Sequence, residues 1–466
     1  MKNFILLISL FSLSRSITFA QGIDPILQGM LSTKLDSMLK AMKIKSLSAA
    51  IQFNDAKIWA DAKGISAIDP IVAPTTNDVY LMGSIVKTIT SAYILKLQEK
   101  NLLNIDDPIS KYLDTIEFIN PNATIRQLLQ HTSGFYDVLS NPECSQAMLS
   151  NQSFIWDYYD LVSTFIKAPL FQPGARWSYS NTNYFLLGLI IKKVTRNDYF
   201  IEFRNNIFTP LVLKSIAIPA HETMNNPVAH AWMDITGDMV TEDAHDFYFN
   251  YLSLNSVAGS AGGYYSTPSD ISKWMRTYLR GDFVSKTLVE EAKKTIPASG
   301  SQGGAYGLGL MKNTFSGQLA FGHGGDLVYS ASSWYFPALD ISITVCGNDQ
   351  KFNSWTLLPV VNELLKTYNL WKVIAASENV LKENIELIIN SNCITDKLTF
   401  NLTGYQISND LKIDIQSIQG NKVYSEKINS SNQSKSIDIS NLASGLYILS
   451  VKNSNTILQS KKIVKN

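Results

Sequence analysis

Ser84 and Lys87 stand three residues apart in LMGSIVKTIT (81–90), at the entry to a helical pattern. That spacing puts a hydroxyl and an amine on one face, one turn apart, so the amine can take the hydroxyl's proton. Gly83 lets the chain turn sharply into the helix, and Val86, Ile89, Tyr93 and Leu97 give it an apolar face. The backbone N–H of Ser84 then falls in the first turn, without an intrahelical acceptor and in the positive end of the dipole. It is a ready donor for the oxyanion formed when the Ser84 hydroxyl attacks a carbonyl. Lys87 serves as a base only when neutral, which requires burial or a nearby positive charge. The competing reading is two surface residues a helical turn apart, because the spacing is common. Ser37 and Lys40 in SMLK repeat it without the glycine or the strand-to-helix entry, and are expected to be solvated.

Further stretches follow in order. RWSYSNTNYFLLGLIIKKV holds Tyr179-Ser180-Asn181 directly before an apolar helix, and FGHGGDL holds His323-Gly324-Gly325 at the edge of a strand. TIRQLLQHTSGF and SAGGYYSTPSDISKWM lie between Ser84 and His323. Tyr248-Phe249-Asn250 repeats the Tyr-x-Asn pattern, but no helix entry follows it. Taken together, residues from about 25 to 370 resemble the penicillin-recognising serine hydrolases, specifically the class C β-lactamase and low-molecular-weight DD-peptidase branch. The fingerprint of that branch is Ser-x-x-Lys, then Tyr-x-Asn, then Lys/His-x-Gly on a strand.

The resemblance implies a role for each matched residue. Ser84 would be the acyl-forming nucleophile and Lys87 the group that takes its proton. Tyr179, polarised by Lys87 and His323, would pass that proton to the leaving group. Asn181 would hydrogen-bond the substrate's amide, although the same residue reads equally as a helix cap. Gly325 would let substrate approach the strand, and the N–H of Asp326 would complete an oxyanion hole with that of Ser84. The third motif departs from Lys-Thr-Gly: Gly324 carries no hydroxyl, and an unperturbed histidine is mostly neutral at pH 7. Both changes weaken recognition of a substrate carboxylate and are compatible with esterases, amidases and D-amino-acid peptidases. Turnover is expected to follow titration of His323 near neutrality. DD-carboxypeptidase or β-lactamase activity is the alternative within the family, and a non-catalytic surface binding protein the alternative outside it.

His131 in QHTSG reads as structural, at a helix C-terminus capped by Gly134. SAGGYYST reads as a turn lining the cleft. His221, His230 and His245 have no metal-ligand spacing with neighbouring acids, so neither metal nor cofactor is expected.

These residues must be positioned by a larger frame. DPILQGMLSTKLDSMLKAM places Leu27, Leu31, Leu35, Met38 and Met42 on one helical face. LSAAIQFNDAKIWADAKG reads as two strands around Asn54-Asp55, and QLAFGHGG, SASSWYFP and DISITVCGN as three more. Mostly helical segments fill about 85–300, and SWTLLPVVNELLKTYN is a last helix. The expected class is α+β: a β-lactamase/transpeptidase-like antiparallel sheet flanked by helices with an inserted helical subdomain, plus a small C-terminal all-β sandwich. A cleft falls where sheet and insertion meet.

The 466 residues divide into an expected signal peptide (1–20), a hydrolase domain (21–377), a linker (378–392) and a β-sandwich (393–466). The leader has Lys2, an apolar run over 4–13 and small residues near Ala20. Hydrophobic residues make up 45% and charged residues 17%, a globular balance, and a net charge of +1 without a basic block argues against nucleic acid as a partner. Cys144, Cys346 and Cys393 are too few and too far apart for a disulfide or metal framework. In the tail, LKIDIQSI alternates apolar and polar, QGN (419–421) turns the chain, and GLYILSVKN is a strand. DKLTF, NLASGLY and the lysine-rich end resemble the sorting domain of type IX secretion substrates, with Asn392-Cys393 where Asn-Pro is usual. That implies the outer-membrane secretion machinery as a partner, beside a small-molecule or peptide substrate, and a secreted or cell-surface location.

Overall fold

Along the strand β1 (Ser46–Gln52), Leu47, Ala49 and Ile51 alternate with Ser46, Ser48 and Ala50, and all seven residues are buried. The alternation decides which helix each face meets. In the computed structural model, which describes residues 22–238, 240–245, 252–379, 386–389, 393–403, 411–418, 420–428, 434–453 and 456–466, β1 lies in an eight-stranded sheet. Its other strands are β2 (Ile58–Gly64), β3 (Ile296–Pro297), β4 (Ala305–Tyr306), β5 (Met311–Phe315), β6 (Gln318–Leu327), β7 (Tyr329–Phe336) and β8 (Ile341–Gly347). The order is β2-β1-β8-β7-β6-β5-β4-β3, antiparallel throughout, so the two ends of the domain meet where β1 pairs β8. The expected leader and Tyr248-Phe249-Asn250 lie outside the described residues.

The face carrying Leu47, Ala49, Ile51, Trp334, Ile343 and Val345 packs on helices α1 (Pro25–Met42) and α6 (Leu358–Asn379) through Leu27, Leu31, Leu35, Val361 and Leu365. On the other face, Ala331, Tyr335 and Cys346 join Ile271, Trp274 and Met275 of α5 (Pro268–Arg280) in the second core. Small hydroxyl residues allow α5 to come close, and the Ser272 hydroxyl donates to the Ser342 carbonyl at 2.8 Å. Local signals fix the ends of α5: Thr267 caps it through the Asp270 N–H, Pro268 opens it, and Gly281 closes it in the left-handed conformation.

Helix α2 (Val86–Glu99) was expected to be amphipathic, yet residues 86–95 and Leu97 are buried. The cause is tertiary, since α2 packs between the sheet, α3 (Thr182–Thr195) and α4 (Leu252–Gly262). SAGGYYST is more than a turn: after a kink at non-helical Gly259 its first residues end α4 at Gly262, and Tyr265–Ser266 then pairs with Tyr80–Leu81 just before Gly83. Ser37 and Lys40 are exposed, and Lys40 pairs with Asp36 at 2.6 Å.

The tail forms two sheets around one core that includes Leu398, Phe400, Ile413, Ile415, Leu449, Val451 and Ile463. Glu386–Ile389, Lys397–Thr403 and Ser434–Asp438 make one sheet. Cys393–Ile394, Leu411–Ser417, Lys422–Lys427, Gly445–Asn453 and Thr456–Lys465 make the other. The 378–392 stretch read as linker therefore contributes a strand, paired antiparallel with 400–403, and α6 runs on to Asn379. Gln419 of the expected QGN turn lies outside the described residues.

Sheet and helical region meet at bare backbone. Gly83 has a φ of +52°, and a Cβ there would lie 2.8 Å from the Asp326 nitrogen. A Cβ on Gly325 would lie 1.9 Å from the Met82 carbonyl oxygen. Gly325 is thus required by the 82–84 turn, a packing reason that stands beside the substrate approach expected from the motif. Gly325→Ala should destabilise the protein by about 1–3 kcal/mol, the usual cost of overpacking. Urea denaturation tests this, and an unchanged midpoint would contradict the contact.

Candidate active site

Ser84 sits in the single turn Gly83–Ile85 that leads into α2. Its Oγ accepts hydrogen bonds from Lys87 Nζ at 2.9 Å and from the Tyr179 hydroxyl at 2.7 Å. Lys87 is wholly buried, and its Nζ also donates to Asn181 Oδ1 and to the Ala261 carbonyl, both at 2.8 Å. Each partner comes from a different element: its own turn, the start of α3 and the end of α4. Two of the sequence-derived residues, Lys87 and Tyr179, therefore converge on Ser84, and a third, Asn181, holds Lys87.

Asn181 occupies the cap position of α3 but makes no capping bond. Its carboxamide bridges instead, accepting from Lys87 and donating through Nδ2 to Asp137 Oδ2 at 2.9 Å. Asp137 had not been singled out; in the sequence it is one acid among 39. It is held beside the cluster by the short turn Val138–Ser140, which it caps through the Leu139 N–H.

Burial sets the electrostatics. Desolvation brings the Lys87 ammonium down to about 7, with Asp137 pulling the other way. Desolvation pushes the Tyr179 hydroxyl well above its ordinary range, opposed by its bond to Ser84, so Tyr179 stays a neutral phenol that can give a proton. Lys87 Nζ also lies 4.9 Å from the Tyr179 ring centre and 5.4 Å from that of Tyr184.

His323 lies behind this cluster and not in it. It is fully buried on β6, with Nδ1 2.5 Å from the Gly324 carbonyl and Nε2 2.9 Å from the Tyr306 hydroxyl. The carbonyl only accepts, so Nδ1 carries the proton and Tyr306 donates to Nε2. The His323 and Tyr179 ring centres are 6.4 Å apart. Desolvation holds the imidazole down to about 3, so the expected titration near neutrality does not belong to His323. The polarising contact to Tyr179 is made by Lys87 through Ser84, while His323 braces Tyr306.

Gly325 and Asp326 follow on β6 and meet the Ser84 turn edge-on. A Cβ at Gly325 would be 3.1 Å from Ser84 N, and one at Gly83 would be 2.8 Å from Asp326 N. The two backbone nitrogens thus both lie at the contact between the Ser84 turn and β6.

His131 does more than end a helix. It adopts a φ of +60°, beyond the short helix Ile125–Leu129, whose C-cap is Gln130 and not Gly134. Its ring lies under Tyr179, with centres 4.2 Å apart, and its Nδ1 accepts from the Ser180 N–H at 3.2 Å. Burial, then the positive charge of Lys87, hold it well below its usual range, so it is a neutral shelf that orients the 179–181 segment. The sequence carried only a histidine followed by Thr-Ser-Gly after a helical pattern; its left-handed backbone and its place under Tyr179 show only in the fold.

Comparison with known proteins places these features. A family model described as Beta-lactamase matches residues 32–356, and one described as Secretion system C-terminal sorting domain matches 392–466. The chain is 26% identical over 266 residues to a penicillin-binding protein of Bacillus subtilis (strain 168), a match covering 55% of this chain and 57% of that protein. It is 28% identical over 287 residues to a protein named as a D-alanyl-D-alanine carboxypeptidase of Escherichia coli (strain K12), covering 55% and 64%. These matches therefore span less than two thirds of either relative's own length. Among solved structures, the D-stereospecific amidohydrolase from Streptomyces sp. superposes with a TM-score of 0.62 at 28% identity, covering 71% of this chain and 97% of that one.

The buried amine also leaves a thermodynamic mark. Between about 7 and its ordinary value of 10.5, Lys87 is neutral when folded but binds a proton when unfolded. Its contribution to stability therefore rises with pH across that window. The stability of wild type relative to Lys87→Met should increase from pH 7 to 10.5 in denaturant titrations. A pH-independent difference would show that the ammonium is not desolvated.

Proposed function

The chain belongs to the Beta-lactamase family, and on that footing we propose that it is a serine hydrolase working through an acyl-serine intermediate on small ester, amide or peptide substrates. The observation that carries the reading is the double hydrogen bond at Ser84 Oγ, from a buried lysine and a neutral tyrosine. In this reading Lys87, once neutral, keeps its two donations to Asn181 and the Ala261 carbonyl, turns its lone pair to the Ser84 hydroxyl and takes that proton as Oγ attacks the carbonyl carbon. The N–H groups of Ser84 and Asp326 hold the oxyanion. Tyr179 gives a proton to the departing amine or alkoxide, and water later releases the acyl group with the same residues in reverse. Asn181 holds Lys87 by one end and meets the substrate's amide by its exposed edge. The C-terminal sorting domain points to export, with the secretion machinery as a partner. Relatives named for D-alanyl-D-alanine and D-stereospecific chemistry support a peptide or amide substrate. Action on peptidoglycan peptides or β-lactams is the second reading, and it rests on those names.

Intact-mass analysis of the full chain with a fluorophosphonate probe tests the proposal. Wild type should gain one adduct and Ser84→Ala none; no adduct on wild type would overturn it. Penicillin pre-incubation should leave labelling intact, whereas protection would favour the second reading. The kcat/KM profile should rise with pH through about 7, where Lys87 becomes neutral. That limb should stay in place in His323→Gln, because His323 titrates far below it. Displacement of the limb in this variant would return the base's control to the histidine.

A further inference from the structure

Gly324 lacks the hydroxyl expected in the middle of the third motif, and its surroundings show what fills the space. A Cβ at Gly324 would lie 2.6 Å from Gln302 Nε2 and 2.6 Å from Ser354 Oγ. These two side chains form a directed relay. Gln302 Nε2 donates to Ser354 Oγ at 2.8 Å, and Ser354 Oγ donates to Asp326 Oδ2 at 2.6 Å. The Ser354 backbone N–H donates to Asp326 Oδ1, also at 2.6 Å. A carboxylate only accepts, so the direction of the relay is set at its Asp326 end.

Both donors of Ser354 are thereby committed, and acceptors are left over. Each Asp326 oxygen keeps a lone pair, and Gln302 Oε1 is buried beneath without a partner. The Asp326 side chain is exposed, and its own backbone nitrogen adjoins Ser84. Its carboxylate consequently stands beside any carbonyl held between those nitrogens. Desolvation raises the Asp326 carboxyl above the ordinary carboxylate range; only serine hydroxyls and a backbone N–H oppose it, and no lysine or arginine contributes, so a cation brought beside it meets an anion without a counter-charge. Asp137 puts a second carboxylate on the far side of Lys87. Once Lys87 is neutral, as its use as a base demands, the formal charges around Ser84 are both negative.

We propose that Asp326 selects substrates bearing a free amine, as its ammonium, near the scissile carbonyl, and disfavours those with a carboxylate there. An ammonium brings three donors to a site with surplus acceptors, whereas a carboxylate brings acceptors and like charge. Gln302 and Ser354 are positioning residues, since they act through Asp326. The inference rests on the acyl-serine reading and names its substrate class.

The test compares alanine p-nitroanilide, its N-acetyl form and its N-succinyl form, each as D and L isomers, with the full chain. The free amine should exceed the acetyl form in kcat/KM by about tenfold or more, the effect of one charge-assisted hydrogen bond, with the succinyl form slowest. Asp326→Asn should bring the amine-to-acetyl ratio close to one, and Ser354→Ala should lower it less. A wild-type ratio of one or below, or a ratio unmoved by Asp326→Asn, overturns the selection. If none of these is turned over, protection of Ser84 from the fluorophosphonate by alaninamide against N-acetylalaninamide gives the same comparison, and equal protection overturns it. Ser84→Ala separates the two levels of the argument. Hydrolysis that persists in that variant removes the acyl-serine reading, whereas Ser84-dependent hydrolysis with no preference for the amine removes only the selection.

Discussion

Two backbones in contact, without a side chain between them, hold the rest of this structure in place. The Met82–Ser84 turn belongs to the helical region and Gly325 to the sheet, and nothing larger than glycine fits where they touch. Because the contact is made by main-chain atoms, it leaves little freedom to the distance between the Ser84 and Asp326 nitrogens. A side chain could relax by changing rotamer, but a peptide plane pressed against another can relax only by moving an element. The eight-stranded sheet supplies the rigidity on one side, and the closely buried α2 on the other.

Around that joint, burial does the electrostatic tuning. One amine is brought near neutrality, one phenol is kept protonated, and two histidines, His131 and His323, are held uncharged as packing and bracing groups. Their roles differ because of what they touch. The lysine and tyrosine reach Ser84 Oγ, while the histidines meet a carbonyl, an N–H and neighbouring rings.

Much of this was legible in the chain itself. The helix-entry serine, the Tyr-x-Asn before an apolar run and the five main strands are local patterns with a fixed period, so they could be read one after another. What could not be read depends on long-range company. Asp137 becomes a partner of Asn181 only once α3 lies beside it, and the short strands β3 and β4 carry too few residues to show alternation. His323 was given a titration near neutrality because its spacing was visible and its burial was not. The packing role of Gly325 could not be read because the turn that presses on it lies more than 200 residues earlier in the chain. In the tail, strand alternation was clear, but Glu386–Ile389 joined the sandwich from a stretch that read as linker.

The three acceptors of Lys87 come from positions 84, 181 and 261, and none is a permanent neighbour of the amine in an unfolded chain. In that state the lysine has its ordinary affinity for a proton and is an ammonium at any physiological pH. The serine beside it is then as inert as any other. The amine is brought near neutrality only when the fold has closed over it and driven off its water. For a chain bearing a C-terminal sorting domain, that dependence on folding is a safeguard on the acyl-serine reading. On that reading, folding itself is then the step that makes Ser84 reactive.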